Sequence, residues 1–441
     1  MNSEKYYSQT WSLSAFSQAE LLALSEAYQG QRFFWQTPDE QECLLGLGYL
    51  KTYPGLTWEK LAQVKQNLLT KWVNLDEKSQ PCLFGGMTFD AQKPVSQFWG
   101  DLQAGMFVLP ESLVIKKAQT WQLCLTVQAS DSACALLKLQ DLKAKFDKLL
   151  LQHKTYQLKN AYQGQLNSQL LAETEWLKAA QKTIAMLKKS QTCQKVVLAR
   201  CEELSAKSFE MTQLLYNLLN LQPNTYRFLL ETKTHCFIGA TPERLLKATA
   251  THFQTASVAG TTLSSSDPKE NQRLMQALLA DGKNTQEHQI VVNWITQQLA
   301  EFVEQVQISE REVLQNKNVQ HLFLTLRGQR KQTANFLAAV KKLHPTPALG
   351  GMPQDFALEW IRQVETTSRA MYGAPLGWLS LTKDVGEFSV AIRSAIFDLT
   401  QAKALLYAGC GILAASDAQA ELAETKAKFK PIESGVQLDD C

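Results

Sequence analysis

The first 150 residues of the chain alternate short apolar runs with turn residues. Gly85, Gly86 and Pro110 interrupt this pattern, and glycine and proline commonly separate neighbouring strands. The pattern predicts a β-rich segment with antiparallel strand pairings. The runs concerned are "RFFWQTP", "ECLLGLGYL", "PCLFGGMTFD" and "GMFVLPESLVI".

From about residue 132 the apolar spacing becomes helical. In "ETEWLKAAQKTIAMLKKS" the apolar residues Trp176, Ala180, Ile184 and Leu187 form one stripe, as on an amphipathic helix. A strand, "QKVVLARCEEL", follows directly, and "NTQEHQIVVNWITQQLAEFV" predicts a second long helix. The strand-like runs "GEFSVAIRSAIFDL" and "KALLYAGCGIL" precede a final helix. A capping box of Ser416 and Gln419 predicts that this helix starts at Ser416. Strands and helices are mixed along the chain, which favours an α+β fold with large antiparallel sheets.

Composition limits the class of protein. The 441 residues are 45% hydrophobic and 20% charged, and 45 basic against 42 acidic residues give a net charge of +3. These values are typical of a globular protein, and no basic block indicates a nucleic-acid partner. The N-terminus lacks the pattern of a signal peptide, and no apolar run approaches the roughly 20 residues that span a bilayer. Nine cysteines without a CxxC pair favour a reducing compartment, so we expect a cytoplasmic protein without a membrane partner.

Three acids in predicted helices are candidates for metal binding. Glu287 heads an apolar stripe, while Glu421 and Glu424 share a helix face just after a glycine-broken strand. If Glu287 and Glu424 meet, two carboxylates with open positions for water would suit Mg²⁺. The alternatives are an exposed first-turn acid at Glu287 and a solvated charged face on the last helix. The spacing alone leaves both interpretations open.

Two further residues have the chemistry of a base and an acid. Lys195 begins an apolar strand, where burial favours a neutral amine that could act as a base. Glu243 follows a predicted turn in "FIGATPERLL", and burial there would make it a general acid. A lysine whose amine reaches water and an ordinary turn acid are the alternatives.

Two positions indicate substrate contacts. Arg393 in "EFSVAIRSAIF" has small neighbours, which leave room for an anion, and arginine binds carboxylates with two hydrogen bonds. His344 begins the rigid segment "HPTPALGGMP", which has three prolines and two glycines. A lone histidine is more often structural, so His344 is either a hydrogen-bond donor to substrate or a structural residue.

Taken together, these segments resemble the chorismate-binding enzymes. Eight motifs occur in the order found in that family, over residues 155–432: "KVVLAR", "FIGATPERLL", "SVAGT", "KNTQEHQIVV", "HPTPALGG", "YGAPLGW", "EFSVAIRSA" and "AGCGI" with the acids and lysine that follow it. The N-terminal "RFFWQTP", "FGGMTFD" and "FVLPE" are similar to those of isochorismate synthases, above all those of the menaquinone pathway. The resemblance implies one fold over residues 1–441, with two large antiparallel sheets sandwiched between helices, in which residues 1–150 are a β-rich subregion and residues 155–432 carry the catalytic motifs.

The resemblance also implies a role for each candidate residue. Lys195 matches the base that activates water, and Glu243 matches the acid that protonates the departing hydroxyl. Glu287 and Glu424 match the ligands of Mg²⁺, with Glu421 nearby. The remaining candidates match positions that line the chorismate pocket: Gly260, Thr261, His344, Tyr372, Arg393, Gly409, Gly411 and Lys428.

The expected reaction converts chorismate to isochorismate by adding water at C2 as the C4 hydroxyl leaves. Relatives that deliver ammonia usually carry glutamine in place of Lys195, and some carry lysine in place of Ala259, so both residues favour water as the nucleophile. A salicylate synthase, which goes on to eliminate pyruvate, and a non-catalytic chorismate-binding relative are the alternatives. The resemblance implies no particular oligomeric state.

Overall fold

The computed structural model describes residues 4–93, 96–152 and 155–437. Among these residues, no helix is both long and apolar enough to cross a membrane.

The strands are numbered in chain order. They are β1 Lys5–Leu13, β2 Arg32–Gln36, β3 Glu42–Pro54, β4 Trp72–Asn74, β5 Cys82–Gly86, β6 Met106–Lys117, β7 Thr120–Ala129, β8 Tyr162–Gln163, β9 Asn167–Leu170, β10 Lys195–Ser205, β11 Ser208–Phe209, β12 Tyr226–Glu231, β13 His235–Thr241, β14 Arg244–Ala248, β15 His252–Leu263, β16 Gln307–Ile308, β17 Glu312–Gln315, β18 Val319–Gln329, β19 Gly351–Met352, β20 Pro375–Ser380, β21 Gly386–Val390, β22 Ser394–Asp398 and β23 Lys403–Ile412.

The helices are numbered in the same way. They are α1 Gln18–Glu26, α2 Trp58–Thr70, α3 Ser132–Gln152, α4 Glu173–Lys189, α5 Met211–Leu221, α6 Pro268–Ala280, α7 Gly282–Leu299, α8 Phe336–Leu343, α9 Gln354–Val364 and α10 Ala418–Val436, together with a short 3₁₀ helix at Gln97–Leu102.

The α+β class is confirmed, and almost every strand pair is antiparallel. Two series of strands diverge from the paired strands β3 and β6. One series runs through β2, β12, β13, β22 and β23 to β10, and the other runs through β5, β20, β21, β14 and β15 to β18. The two expected sheets are therefore joined through β3 and β6 into one hydrogen-bonded network of 21 strands.

The apolar side chains fill three main layers. A central cluster with Phe33, Phe84 and Phe237 packs between the two series of strands. The outer face of the first series is covered by α1, α5 and α10, and that of the second by α2, α7 and α8. The sheets are thus sandwiched between helices, because each sheet face needs an apolar partner to exclude water.

Two details differ from the sequence-based expectations. The run "GEFSVAIRSAIFDL" is not one strand, because the chain bends at Arg393, whose φ of +50° lies in the left-handed region. The final helix begins with Asp417 as its N-cap, whose carboxylate accepts from the Ala420 amide at 2.9 Å. The Ser416 hydroxyl instead accepts from the Leu413 amide at 3.0 Å.

Three packing relationships position the candidate residues. Strand β10 pairs with β23, which sets Val197 opposite Gly411 and Ala199 opposite Gly409. Helix α7 packs on β15, and α10 packs on β23. The strand that begins with Lys195 is therefore paired with the strand on which α10 packs.

Candidate active site

A cavity opens where these elements meet. Most of the candidate residues line it. They are Lys195, Glu243, Gly260, Thr261, Glu287, Tyr372, Arg393, Gly409, Gly411 and Lys428. Within the described ranges, Glu421, Glu424 and His344 are the candidates that do not line it.

Lys195 and Glu287 form an ion pair in the cavity wall. The Lys195 side chain is 1% exposed, and its Nζ lies 2.7 Å from Glu287 Oε1. A Cβ at Gly411 would overlap Glu287 Oε1 and lie 2.6 Å from Lys195 Cε. Position 411 therefore needs glycine, because a larger residue would displace both charged groups.

Glu243 is a buried carboxyl group that also lines the cavity. It lies in the short connection between β13 and β14, and its backbone carbonyl accepts from the Val390 amide at 3.0 Å. Burial raises the pKa of Glu243 to about 8, although the positive charges of Lys195, Arg393 and Lys428 oppose this rise. Glu243 therefore carries a proton at neutral pH and can act as an acid.

Arg393 is held by a histidine that the sequence reasoning missed. Its Nη2 lies 2.9 Å from Nε2 of the buried His321, and His321 Nδ1 lies 3.3 Å from the Gly260 carbonyl. Because a guanidinium can only donate, Nε2 must accept and Nδ1 must carry the proton. Burial, followed by the charge of Arg393, holds the pKa of His321 well below its usual range, so the ring is neutral.

The second terminal nitrogen of Arg393 is available to a ligand. Nη1 is buried and has no hydrogen-bond partner within residues 4–93, 96–152 and 155–437. A buried donor without a partner is costly, and a bound carboxylate would satisfy it. The one sign of His321 in the sequence is a histidine within the mostly apolar run "VQHLFL".

Tyr372 and Lys428 complete the wall around β23. The Tyr372 ring stacks on Tyr407 with 5.0 Å between centroids. Lys428 Nζ donates to the Gly409 carbonyl at 2.9 Å and lies 2.6 Å from Glu424 Oε1. The wall therefore presents an aromatic surface next to an ammonium group.

The three candidate metal ligands each contact a lysine. Glu287 pairs with Lys195, Glu424 pairs with Lys428, and Glu421 Oε1 lies 2.6 Å from Lys283 Nζ. All three acids act on Lys283. Burial lowers the pKa of this lysine, but the negative charges of Glu421, Glu287 and Glu424 outweigh burial, so the pKa is raised. Across the described residues, no three acidic, histidine or cysteine side chains are grouped as a ready-made metal site.

The donors nevertheless fit a hard divalent cation. They are carboxylate oxygens from two helices, and Gly411 leaves the space beside Glu287 free of a side chain. Mg²⁺ is usually bound through one or two carboxylates and keeps several waters, so it needs no cage of three protein ligands. The assignment of Glu287, Glu424 and Glu421 to a metal stays a prediction.

His344 lies behind the cavity wall. Its Nε2 is 3.0 Å from the Phe89 carbonyl, and its ring meets the Phe89 ring edge-on at 5.7 Å. Burial lowers the pKa of His344 to about 4, so the ring is neutral. In this region the described lining residues are Leu349 and Arg369, and Arg369 Nη1 donates to the Leu349 carbonyl. His344 is therefore not among the described lining residues, and its expected contact with the substrate stays a prediction.

Comparison with known proteins gives a consistent result. The family model described as "Chorismate binding enzyme" matches residues 1–437. The chain is 32% identical to isochorismate synthase MenF of Bacillus subtilis, over 93% of this chain and 89% of that protein. It is 30% identical to the salicylate biosynthesis isochorismate synthase of Pseudomonas aeruginosa, over 90% of this chain and 83% of that protein.

Solved structures share the fold. The menaquinone-specific isochorismate synthase MenF from Escherichia coli superposes with a TM-score of 0.82 at 24% identity, over 99% of this chain and 96% of that one. Anthranilate synthase component I from Streptococcus pneumoniae gives a TM-score of 0.74 at 19% identity, over 89% of this chain and 92% of that one.

Proposed function

Since the chain belongs to the chorismate-binding enzyme family, we propose that it is an isochorismate synthase. The observation that carries this proposal is one cavity lined by both Lys195 and a protonated Glu243. Moving a hydroxyl between two ring carbons needs a base for the incoming water and an acid for the departing group. These two side chains supply that pair.

Lys195 is the proposed base. Its amine is buried in the wall, which keeps bulk water from competing for the reacting position. In the free-amine form it takes a proton from the water that attacks C2. Its counterpart Glu243 gives its proton to the C4 oxygen, since hydroxide is a poor leaving group. Both ring double bonds shift as the C2–O bond forms and the C4–O bond breaks, so one water enters and one water leaves. The step ends with Lys195 protonated and Glu243 ionised, and return of one proton from Lys195 to Glu243 through solvent restores both groups.

Arg393 and Lys428 orient the anionic substrate. Chorismate carries two carboxylates, and the unpaired Nη1 of Arg393 is a donor for one of them. Tyr372 lies beside Gly409, where a Cβ would come within 3.2 Å of its hydroxyl oxygen. The absence of a side chain at position 409 thus leaves the tyrosine hydroxyl accessible from the cavity.

Glu287 and Glu424 are the proposed ligands of Mg²⁺, with Glu421 acting through water. When bound, the ion would supply positive charge to a substrate carboxylate and withdraw electrons from the ring. The protein side chains bind the ring and orient the water. Lys195 accepts the proton of the attacking water, and Glu243 donates the proton to the leaving hydroxyl.

The proposed setting is menaquinone biosynthesis in the cytoplasm. The sequence relatives named MenF support the menaquinone pathway. The relative named for salicylate biosynthesis makes that pathway the alternative. The eight cysteines in the described part of the chain are free thiols, which suits a reducing compartment.

Incubating the purified protein with chorismate and Mg²⁺, followed by chromatography of the products, tests the activity. We expect isochorismate as the main product. Salicylate with an equal amount of pyruvate would identify a salicylate synthase instead. Unchanged chorismate at saturating Mg²⁺ would indicate a relative that only binds.

A further inference from the structure

Lys283 occupies an unusual place for a cation. It is the second residue of α7, whose N-cap Asp281 accepts from the Asn284 amide at 2.7 Å. The N-terminus of a helix carries a partial positive charge, so a lysine in the first turn is electrostatically unfavourable. An anionic partner outside this helix would offset this unfavourable charge.

That partner is the first turn of α10. Lys283 Nζ lies 2.6 Å from Glu421 Oε1, and the Glu421 side chain is 2% exposed. Glu287 lies one turn beyond Lys283 on α7, and Glu424 lies one turn beyond Glu421 on α10. The ammonium group therefore contacts one proposed metal ligand, and the other two are carried on the same two helices, one turn further along.

The backbone of Lys283 is fixed, but its side chain is not enclosed. The adjacent Asn284 accepts from the Thr261 amide at 3.0 Å, which anchors this turn of α7 to β15. The Lys283 side chain is 35% exposed. It can therefore move its ammonium into water without any change in the helix.

We propose that Lys283 is a resident counter-cation that competes with the divalent ion for these carboxylates and so weakens metal binding. The proposal rests on the metal site proposed above. Without metal, the ammonium offsets the repulsion among the three acids. When metal binds, the ammonium is repelled by the ion and withdraws toward solvent.

Calorimetric titration of MgCl₂ into the chelator-treated, full-length protein tests this competition. We expect Lys283→Met to bind Mg²⁺ about tenfold more tightly than the parent, because a positive charge in contact with one proposed carboxylate ligand is removed. Lys283→Arg keeps the charge and should bind like the parent. Lys426→Met is the matched control, since Lys426 is a half-exposed lysine on α10 that pairs with Glu173 at 3.4 Å.

A second readout separates competition from a purely structural ion pair. Without metal, Lys283→Met should melt below the parent, and saturating Mg²⁺ should restore most of the difference. A structural ion pair would lower the melting temperature equally with and without metal. Equal or weaker Mg²⁺ affinity in Lys283→Met, or tighter binding in Lys283→Arg, would overturn the proposal.

The outcome is distinguishable from failure of the proposed function. A parent protein that makes isochorismate while Lys283→Met shows unchanged Mg²⁺ affinity refutes only the role of Lys283. Absence of Mg²⁺ binding in both parent and variant refutes the metal site together with this inference.

Discussion

The ammonium of Lys195 lies 2.7 Å from the carboxylate of Glu287, and both side chains line one cavity. They belong to β10 and α7, which are far apart in the chain. Removing one member of a buried ion pair leaves the other as an uncompensated buried charge. Each of the two side chains therefore holds the other in position. The proposed base and a proposed metal ligand are thus structurally coupled.

Lys195→Ala should lower kcat by at least about 100-fold, because general base catalysis typically contributes that much. The matched control is Lys403→Ala, since Lys403 pairs with Glu203 away from the cavity. Steady-state kinetics with chorismate measure the effect, and circular dichroism checks the fold. Activity equal to that of the parent in a folded Lys195→Ala would rule out the base.

The raised pKa of Glu243 predicts how kcat changes on the basic side of the pH profile. Because its pKa is raised to about 8, kcat should fall as pH rises through this value and the acid loses its proton. Profiles of kcat against pH measure it, and Glu243→Gln should lose most activity at every pH. A rate that increases steadily to pH 10 would contradict the role of an acid.

The same shift predicts a pH-dependent stability. The folded pKa of about 8 lies above the ordinary glutamate pKa of 4.5, so the folded state binds this proton more tightly than the unfolded state. Its contribution is complete below pH 4.5 and is lost as pH rises through about 8. Relative to the parent, Glu243→Gln should therefore gain more than about 1 kcal/mol between pH 5 and pH 9, measured by urea unfolding.

Gly411→Ala should lower kcat more than about tenfold, because a misplaced catalytic group costs at least that much. The added Cβ would lie 2.6 Å from Lys195 Cε, so the ion pair must shift. Gly282→Ala is the matched control, because a Cβ there meets nothing within 4 Å. Equal kinetics for both variants would show that the cavity tolerates a side chain at position 411.

His321→Ala should raise KM for chorismate about tenfold while changing kcat less, since it removes the acceptor that holds Arg393. His252→Ala is the control, because His252 lies at the start of β15, outside the cavity lining. Kinetics across a range of chorismate concentrations separate the two constants. A fall in kcat with KM unchanged would mean that His321 does not act through substrate binding.

Chelation should stop turnover, and added Mg²⁺ should restore it. Glu424→Gln should need at least about tenfold more Mg²⁺ for half-maximal rate, because one charged ligand is lost. Glu301→Gln is the control, since Glu301 is half exposed and pairs with Lys342. Full activity in chelator would remove the metal from the mechanism.

Local patterns were sufficient for much of the architecture. The apolar run "KALLYAGCGIL" predicted β23, and the stripe through Val291 and Ile295 predicted α7, because side-chain periodicity on a helix follows backbone geometry. The motif order indicated the family, which the match over residues 1–437 confirms. The treatment of residues 1–441 as one fold, and the role of each site residue, stay predictions.

The sequence by itself determined which residue types could do the chemistry and in which elements they lie. Only the tertiary structure decided which charges meet: Lys195 with Glu287, Lys283 with Glu421, and Arg393 with His321. It also set the His344 ring against the Phe89 carbonyl and buried Glu243 enough to raise its pKa to about 8. The physical reason is that charge pairing and desolvation depend on distances between segments remote in the chain, whereas periodicity reports only on neighbours.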